Sequence, residues 1–216
     1  MIKPSEVSPN AANALAELLP KYLDPNAYAV VKGAVPEATY LLSLKWDFIL
    51  FTGGCAIGEI VASAAAKHIT PCALELGGAS PVVVADDADI DLAAKRILWG
   101  SVSFTDLCVL HPLTRFSRKT QNSGQLCVSP NYVLIPGHLQ DKFVTAIRSN
   151  YSIYFPNGTL DTPDMSKIIN GNHHKRVLDL LASSKGQKIL GGGHNQNRIE
   201  LTVLKDVPTD DPLVKK

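Results

Sequence analysis

In the first half of the chain, apolar runs of strand length alternate with runs of helix length, and glycine pairs punctuate the joins. Asp47 to Phe51 reads as a buried strand, Gly53-Gly54 turns the chain, and Ala56 to Lys67 reads as a helix. A second strand, Pro71 to Glu75, is closed by Gly77-Gly78. Upstream, Tyr28 to Val31 is a short apolar strand ended by Gly33, and Pro36 to Leu44 has a helical pattern. Residues 8 to 20 open on Ser8-Pro9, a capping residue followed by the proline favoured at the first helical position. Ala12, Leu15, Ala16 and Leu19 then share one helical face. Strands separated by helices pair in parallel through crossovers, so this order predicts an α/β fold built on a parallel sheet.

The second half is less regular. Val82 to Ala85 reads as a strand, Asp89 or Asp91 caps a helix running to about Trp99, and Tyr132 to Ile135 is a further strand. His138 to Ser149 reads as a helix, Lys167 to Ser184 as mostly helical, and Lys188 to Leu190 as a short strand before Gly191-Gly192-Gly193. The tail from Asp206 is polar and punctuated by proline. One segment, 101–118, carries Phe104, Leu107, Cys108, Val109, Leu110 and Phe116 with neither a helical nor a strand period. A structureless connection of that length is unusual inside a domain.

Composition narrows the function classes. The 216 residues suit one large domain or two small ones. With 21 basic and 20 acidic residues, nothing recommends nucleic acid or an anionic membrane as partner. No apolar run approaches the roughly 20 residues that span a bilayer, and the N-terminus has no basic-then-apolar leader. Cys55, Cys72, Cys108 and Cys127 show no paired spacing, which predicts free thiols and a cytoplasmic location. The histidines show no metal-ligand spacing beyond Cys108-x-x-His111, so no metal site is expected.

In parallel sheets ligands gather beyond the carboxyl ends of the strands. Lys3-Pro4-Ser5-Glu6, Phe51-Thr52-Gly53-Gly54 and Glu75-Leu76-Gly77-Gly78 fall there. Gly53-Gly54 precedes a helix whose first amides can hold a phosphate, although a lone glycine pair before a helix is more often plain turn chemistry. Lys3 and Glu6 are ambiguous alone, because charged residues at strand ends are usually solvated. Cys127 closes the small polar loop Asn122-Ser123-Gly124-Gln125-Leu126. A thiol and a carboxylate are the minimum for covalent catalysis at a carbonyl carbon. For Cys127 alone, a small buried hydrophobe is the alternative.

Together these blocks resemble the aldehyde dehydrogenase superfamily, nearest its class 3 and fungal branch. The resemblance runs through Lys3-Pro4-Ser5-Glu6, Tyr22-Leu23-Asp24, Val30-Val31-Lys32-Gly33, Phe51-Thr52-Gly53-Gly54 and Ala65-Ala66-Lys67-His68. It continues with Thr70-Pro71, Leu74-Glu75-Leu76-Gly77-Gly78, Asn122-Ser123-Gly124-Gln125, Cys127 and Tyr132-Val133-Leu134. It implies a partial Rossmann-like cofactor domain over 1–75 and part of the α/β catalytic domain over 76–216. Glu75 and Cys127 lie 52 residues apart, and setting aside the 18 residues 101–118 leaves 34, the family's spacing. The segment 101–118 is therefore expected to be an insertion, a translated intron or a lineage-specific loop.

The resemblance also assigns roles. Cys127 would attack the aldehyde carbon and Glu75 would activate the hydrolytic water. Lys3 and Glu6 would bind the adenosine ribose, Gly53 and Gly54 the pyrophosphate, and Leu76-Gly77 would lie near the nicotinamide. A carboxylate at Glu6 favours NAD, with NADP possible. A small-molecule aldehyde is the implied substrate, and a homodimer is expected of the full-length family member. Ala79 stands where the family usually carries lysine. The family's Pro-Trp-Asn strand and its Glu-Glu-Ile-Phe-Gly-Pro motif fall before and after this stretch, which implies truncation at both ends. A catalytically inactive fragment or pseudoenzyme is the second reading. A cysteine hydrolase is the third, weakened because no histidine is placed to pair with Cys127.

Overall fold

Residues 1–102, 122–162 and 165–214 are described by a computed structural model. The chain divides into two units, Met1–Gly77 and Gly78–Lys216. Apart from Ser101 and the backbone of Val102, the segment expected to be an insertion lies outside the described residues.

The first unit contains helices α1 (Pro9–Tyr22) and α2 (Val35–Ser43), strand β1 (Ile49–Gly53), helix α3 (Cys55–Ala66) and strand β2 (Cys72–Leu76). As the glycine-punctuated pattern predicts, β1 and β2 pair in parallel, with Ile49 opposite Cys72, Thr52 opposite Glu75 and Gly53 opposite Leu76. Helix α3 makes the crossover. It buries Val61 and Ala65, and Gly58 lets it approach β2 closely: a Cβ on Gly58 would lie 2.7 Å from Leu76 Cδ2. The turn into β2 is held by Thr70, whose hydroxyl donates to the Trp46 carbonyl at 2.9 Å.

Two expectations change here. The strand expected at Tyr28 to Val31 is a single parallel bridge between Ile2 and Val30. Its bonds run from Ile2 N–H to the Ala29 carbonyl (2.8 Å) and from Val31 N–H to the Ile2 carbonyl (2.9 Å). Helix α1 continues past Pro20 to Tyr22. A proline in the last turn costs one bond to the residue four back, and the 2.6 Å Lys21–Glu17 ion pair spans that turn.

The second unit contains strand β3 (Pro81–Val83), helix α4 (Ile90–Val102), strand β4 (Tyr132–Leu134) and helix α5 (Gly137–Tyr154). It continues with helix α6 (Gly171–Ser183) and strands β5 (Gln187–Leu190) and β6 (Val203–Lys205). Strands β3 and β4 are parallel, with Val82 opposite Val133, while β5 and β6 form an antiparallel pair. The core joins Val84, Ile90, Ala94 and Leu98 to Phe143, Ile147, Tyr151, Phe155 and Met165. Asp89 caps α4 by accepting the Leu92 N–H at 3.0 Å. Asp91 instead pairs with Lys95 at 2.6 Å.

Helix α5 runs five residues beyond the expected Ser149, because Asn150 and Tyr151 are buried on its inner face. The Asn150 amide donates to Asp91 Oδ1 at 3.0 Å, so a residue with poor helix propensity is kept in the helix by a tertiary bond. Helix α6 starts later than expected, at an Asn170 cap whose side chain accepts the His173 N–H at 2.9 Å.

Buried Asp211 ties the C-terminal stretch to the end of α6. Its carboxylate accepts from Ser184 Oγ (3.0 Å), Lys185 N–H (2.8 Å) and Leu213 N–H (2.9 Å). Burial alone would raise its pKa, but the Leu213 and Lys185 amides and the Ser184 hydroxyl outweigh it, and the net direction is down. The native value therefore lies below the unfolded one. Its stabilisation is complete above the unfolded carboxylate range and is lost as pH falls through the native value. Asp211→Asn is expected to lower the thermal midpoint at neutral pH. It should also flatten the acid decline that sets in below about pH 5, as read by circular dichroism melts of both chains across pH.

Candidate active site

In the first unit, Lys3 directly follows Ile2, the residue bridged to Val30. Its ammonium pairs with Glu6 Oε2 at 3.3 Å and donates to the Pro4 carbonyl at 3.0 Å. A backbone N–H and, next, the Lys3 ammonium hold the exposed Glu6 carboxyl below its ordinary range. The two charges thus present one lysine and one ionised carboxylate beside a strand position.

Gly53 ends β1, and Gly54 is the extended cap of α3, with φ −75° and ψ 152°. No heavy atom lies within 4 Å of where a Gly54 Cβ would sit, so the backbone there is open to a ligand. The first amides of α3 have no partners within the helix and carry its positive end, a geometry suited to a phosphate. At Gly53 a Cβ would sit 2.5 Å from Phe51 Cζ, so a larger residue there would require the half-buried Phe51 ring to move. Glu75 is exposed on β2, opposite Thr52. Leu76 lies against α3 at Gly58, and the space beside Gly77 is open.

Cys127 belongs to the second unit and is an exposed free thiol. Its loop is anchored on several sides. Ser123 Oγ donates to the Ser166 carbonyl at 2.7 Å. The Gln125 side chain grips the segment before α6 twice, donating to the Lys167 carbonyl (3.1 Å) and accepting the Ile169 N–H (2.9 Å). Gly124 adopts a left-handed φ of +71° with Ser101 O 3.0 Å from a notional Cβ, a position closed to larger residues. Ser129 N–H closes a turn on the Leu126 carbonyl at 3.1 Å. A further tie reaches Cys127 itself: Ser80 Oγ donates to its carbonyl at 3.0 Å.

The structure therefore couples Lys3 to Glu6 and Gly53 to Leu76, and it displays Glu75 and Cys127 on the first and second units respectively. Sequence reasoning passed over Gly58 and Ser80. Gly58 was detectable as the third glycine of Gly53-Gly54-x-x-x-Gly58. Ser80 carries no local signal, since its partner lies 47 residues away. Among the described residues no cluster of histidine, cysteine, aspartate or glutamate could hold a metal ion. Cys108 and His111 lie outside the described residues. No described helix is long and apolar enough to cross a membrane.

The chain matches the model of the aldehyde dehydrogenase family over residues 1–109 and 114–216. It is 41% identical to mouse (Mus musculus) aldehyde dehydrogenase family 3 member A2, over all of this chain and 41% of that protein. It is 38% identical to the beta-apo-4'-carotenal oxygenase of Neurospora crassa, over all of this chain and 38% of that protein. With the rat (Rattus norvegicus) dimeric, NADP-preferring aldehyde dehydrogenase it shares 39% identity over all of this chain and 44% of that protein. Among solved structures, an aldehyde dehydrogenase of Mycobacterium tuberculosis complexed with NAD+ superposes with a TM-score of 0.81 at 26% identity. That superposition covers 99% of this chain and 43% of the other. The chain spans about two fifths of the length of these curated relatives. Its parallel strands and crossover helix agree with those neighbours, and the family match takes in the described parts of both units, so the chain belongs to the aldehyde dehydrogenase family.

Proposed function

We propose that this chain carries the nucleophile, the general base and part of the cofactor site of an NAD(P)-dependent aldehyde dehydrogenase, with 1–75 contributing to nucleotide binding and 76–216 to catalysis. The observation that carries the reading is an exposed cysteine on a loop tied down at Ser123, Gln125 and Cys127, in a chain of this family. An exposed thiol on so constrained a loop is poorly explained as a core-filling residue.

In this reading the deprotonated Cys127 sulfur bonds to the aldehyde carbon, and the carbonyl oxygen becomes an alkoxide in a thiohemiacetal. The Cys127 backbone N–H supplies part of the stabilisation of that oxygen. A nicotinamide held near Leu76 and Gly77 would supply the hydride acceptor, and loss of hydride from the carbon would leave Cys127 as a thioester. Glu75 then takes a proton from water as the water attacks the thioester carbon. The C–S bond breaks, the carboxylic acid departs and Cys127 is restored. Open backbone at Gly54 and the free amides of α3 fit a pyrophosphate. Glu6, ionised beside Lys3, suits a ribose with free hydroxyls and repels a 2′-phosphate, which favours NAD. The NADP-preferring rat relative keeps NADP within the same reading. A homodimer and a cytoplasmic location complete it, the former suggested by the name of that relative and the latter by the three free thiols among the described residues.

The test is aldehyde-dependent formation of NADH or NADPH, followed by absorbance. Glu75→Gln is expected to release about one equivalent of reduced nucleotide per site in a burst. Steady turnover should then fall by roughly 10²- to 10⁴-fold, because the base acts after hydride transfer. Stopped-flow absorbance checks this, and loss of the burst itself would remove Glu75 from the hydrolytic role. The inactive-fragment reading draws on Ala79 in place of the family's lysine and predicts no burst from either protein.

Segment 101–118 is proposed as an insertion; the family match breaks inside it only over 110–113 and takes in 101–109 and 114–118. Sequencing the transcript decides whether those codons belong to the major messenger.

A further inference from the structure

Ser80 is a serine with φ +40°, in the left-handed region that glycine favours. A side-chain-bearing residue is held there only when its surroundings insist, and such positions concentrate at functional sites. Here Asn131 does the holding. Its backbone N–H donates to the Ser80 carbonyl at 3.4 Å, and its side chain approaches the Gly78 carbonyl at 3.5 Å. Pro81 immediately afterwards begins β3, whose parallel partner β4 starts at Tyr132, directly after Asn131. The result of this arrangement is a hydroxyl aimed at one atom, the carbonyl oxygen of Cys127, 3.0 Å away.

We propose that Ser80 is a positioning residue for Cys127: by holding the Cys127 carbonyl it fixes the peptide from which the thiol projects. This rests on Cys127 being the nucleophile. The anchors at Ser123 and Gln125 lie before Cys127, and the Ser129-to-Leu126 turn encloses it without bonding to it. Ser80 supplies the contact that pins Cys127's own backbone. With its carbonyl fixed, the cysteine keeps the χ1 torsion as its main freedom, restricted to three staggered wells. A nucleophile so confined starts closer to attack geometry, and misplacement of about 1 Å can cost about 10²-fold in rate. The left-handed backbone at Ser80 is what turns its hydroxyl toward the cysteine loop.

Glycine at this position separates the two jobs, because it accepts φ +40° without a Cβ penalty while losing the hydroxyl. In Ser80→Gly, kcat is expected to fall about 10- to 100-fold, with KM for aldehyde and nucleotide little changed and the thermal midpoint held or raised. Amide exchange across 122–129, read by mass spectrometry, is expected to quicken while α5 stays protected. Ser80→Ala should lose kcat equally but keep a midpoint below that of Ser80→Gly, since alanine retains the backbone strain that glycine relieves. An unchanged kcat in Ser80→Gly overturns the proposal. So does a midpoint that falls together with kcat, because the hydroxyl then holds the fold and not the thiol. Cys127→Ser distinguishes the two levels: if that variant still turns over, the nucleophile reading fails. If it is dead while Ser80→Gly is fully active, only the positioning role fails. Should the unaltered protein show no turnover, unchanged exchange across 122–129 in Ser80→Gly still refutes the pinning.

Discussion

Cys127→Ser is expected to abolish aldehyde-dependent reduction of NAD(P), lowering kcat by at least about 10³-fold, which corresponds to roughly 4 kcal/mol of lost transition-state stabilisation. Serine keeps the size and the backbone of the loop, so the bonds from Ser123, Gln125 and Ser80 should persist. What changes is the nucleophile. An alcohol holds its proton far more tightly than a thiol, and an ester, if it formed, would hydrolyse by a different course from a thioester. Nucleotide affinity should be unchanged, because the cofactor groups proposed here, Lys3, Glu6, Gly53 and Gly54, lie on the first unit. Binding titrations of NAD alongside turnover test this pairing of outcomes. A Cys127→Ser protein with undiminished turnover would remove covalent catalysis at this sulfur.

The second large effect is on stability. Leu98→Ala is expected to destabilise the second unit by about 3 to 4 kcal/mol, within the range for emptying a buried leucine site. Leu98 is 2% exposed and continues a stripe with Ile90 and Ala94 on α4. Phe143, Ile147 and Tyr151 on α5 carry the same four-residue period in the core they share. Ala94, fully buried, lets the two helices approach closely. Side chains so confined have little room to collapse into the vacated space, so the cavity persists. Urea titration followed by circular dichroism measures the change. The control is Ile153→Ala on the outer face of α5, 68% exposed and expected to shift stability by no more than about 0.5 kcal/mol.

The β1–α3–β2 unit is legible in the sequence, because each part of it is a local matter. Apolar runs of strand length, a glycine pair before a helix and a helix of crossover length all lie within 30 consecutive residues. The same holds for the candidate residues as chemical types, a carboxylate after a strand and a cysteine closing a polar loop. Errors fell where local pattern and tertiary burial disagree. Ser149-Asn150 reads as a helix end, yet α5 continues because Asn150 is buried and bonded to Asp91. Strand β6 is only three residues long, and its partner β5 lies across a glycine-rich turn, so it has too few residues to show a period.

By itself the sequence determined the alternation that forces a parallel α/β arrangement, the six described helices with ends off by up to five residues, five of the six described strands, and the identity of a thiol, a carboxylate and two glycine turns. Only the tertiary structure decided how the cysteine loop is held, which helix approaches which strand, and which acid is buried. Gln125 reaches 42 residues to the Lys167 carbonyl, Ser80 reaches 47 to that of Cys127, and Asp211 reaches back 27 to Ser184. Those contacts leave no mark in a local window: periodicity records how each residue meets its near neighbours, whereas a hydrogen bond across the fold depends on where the whole backbone has gone.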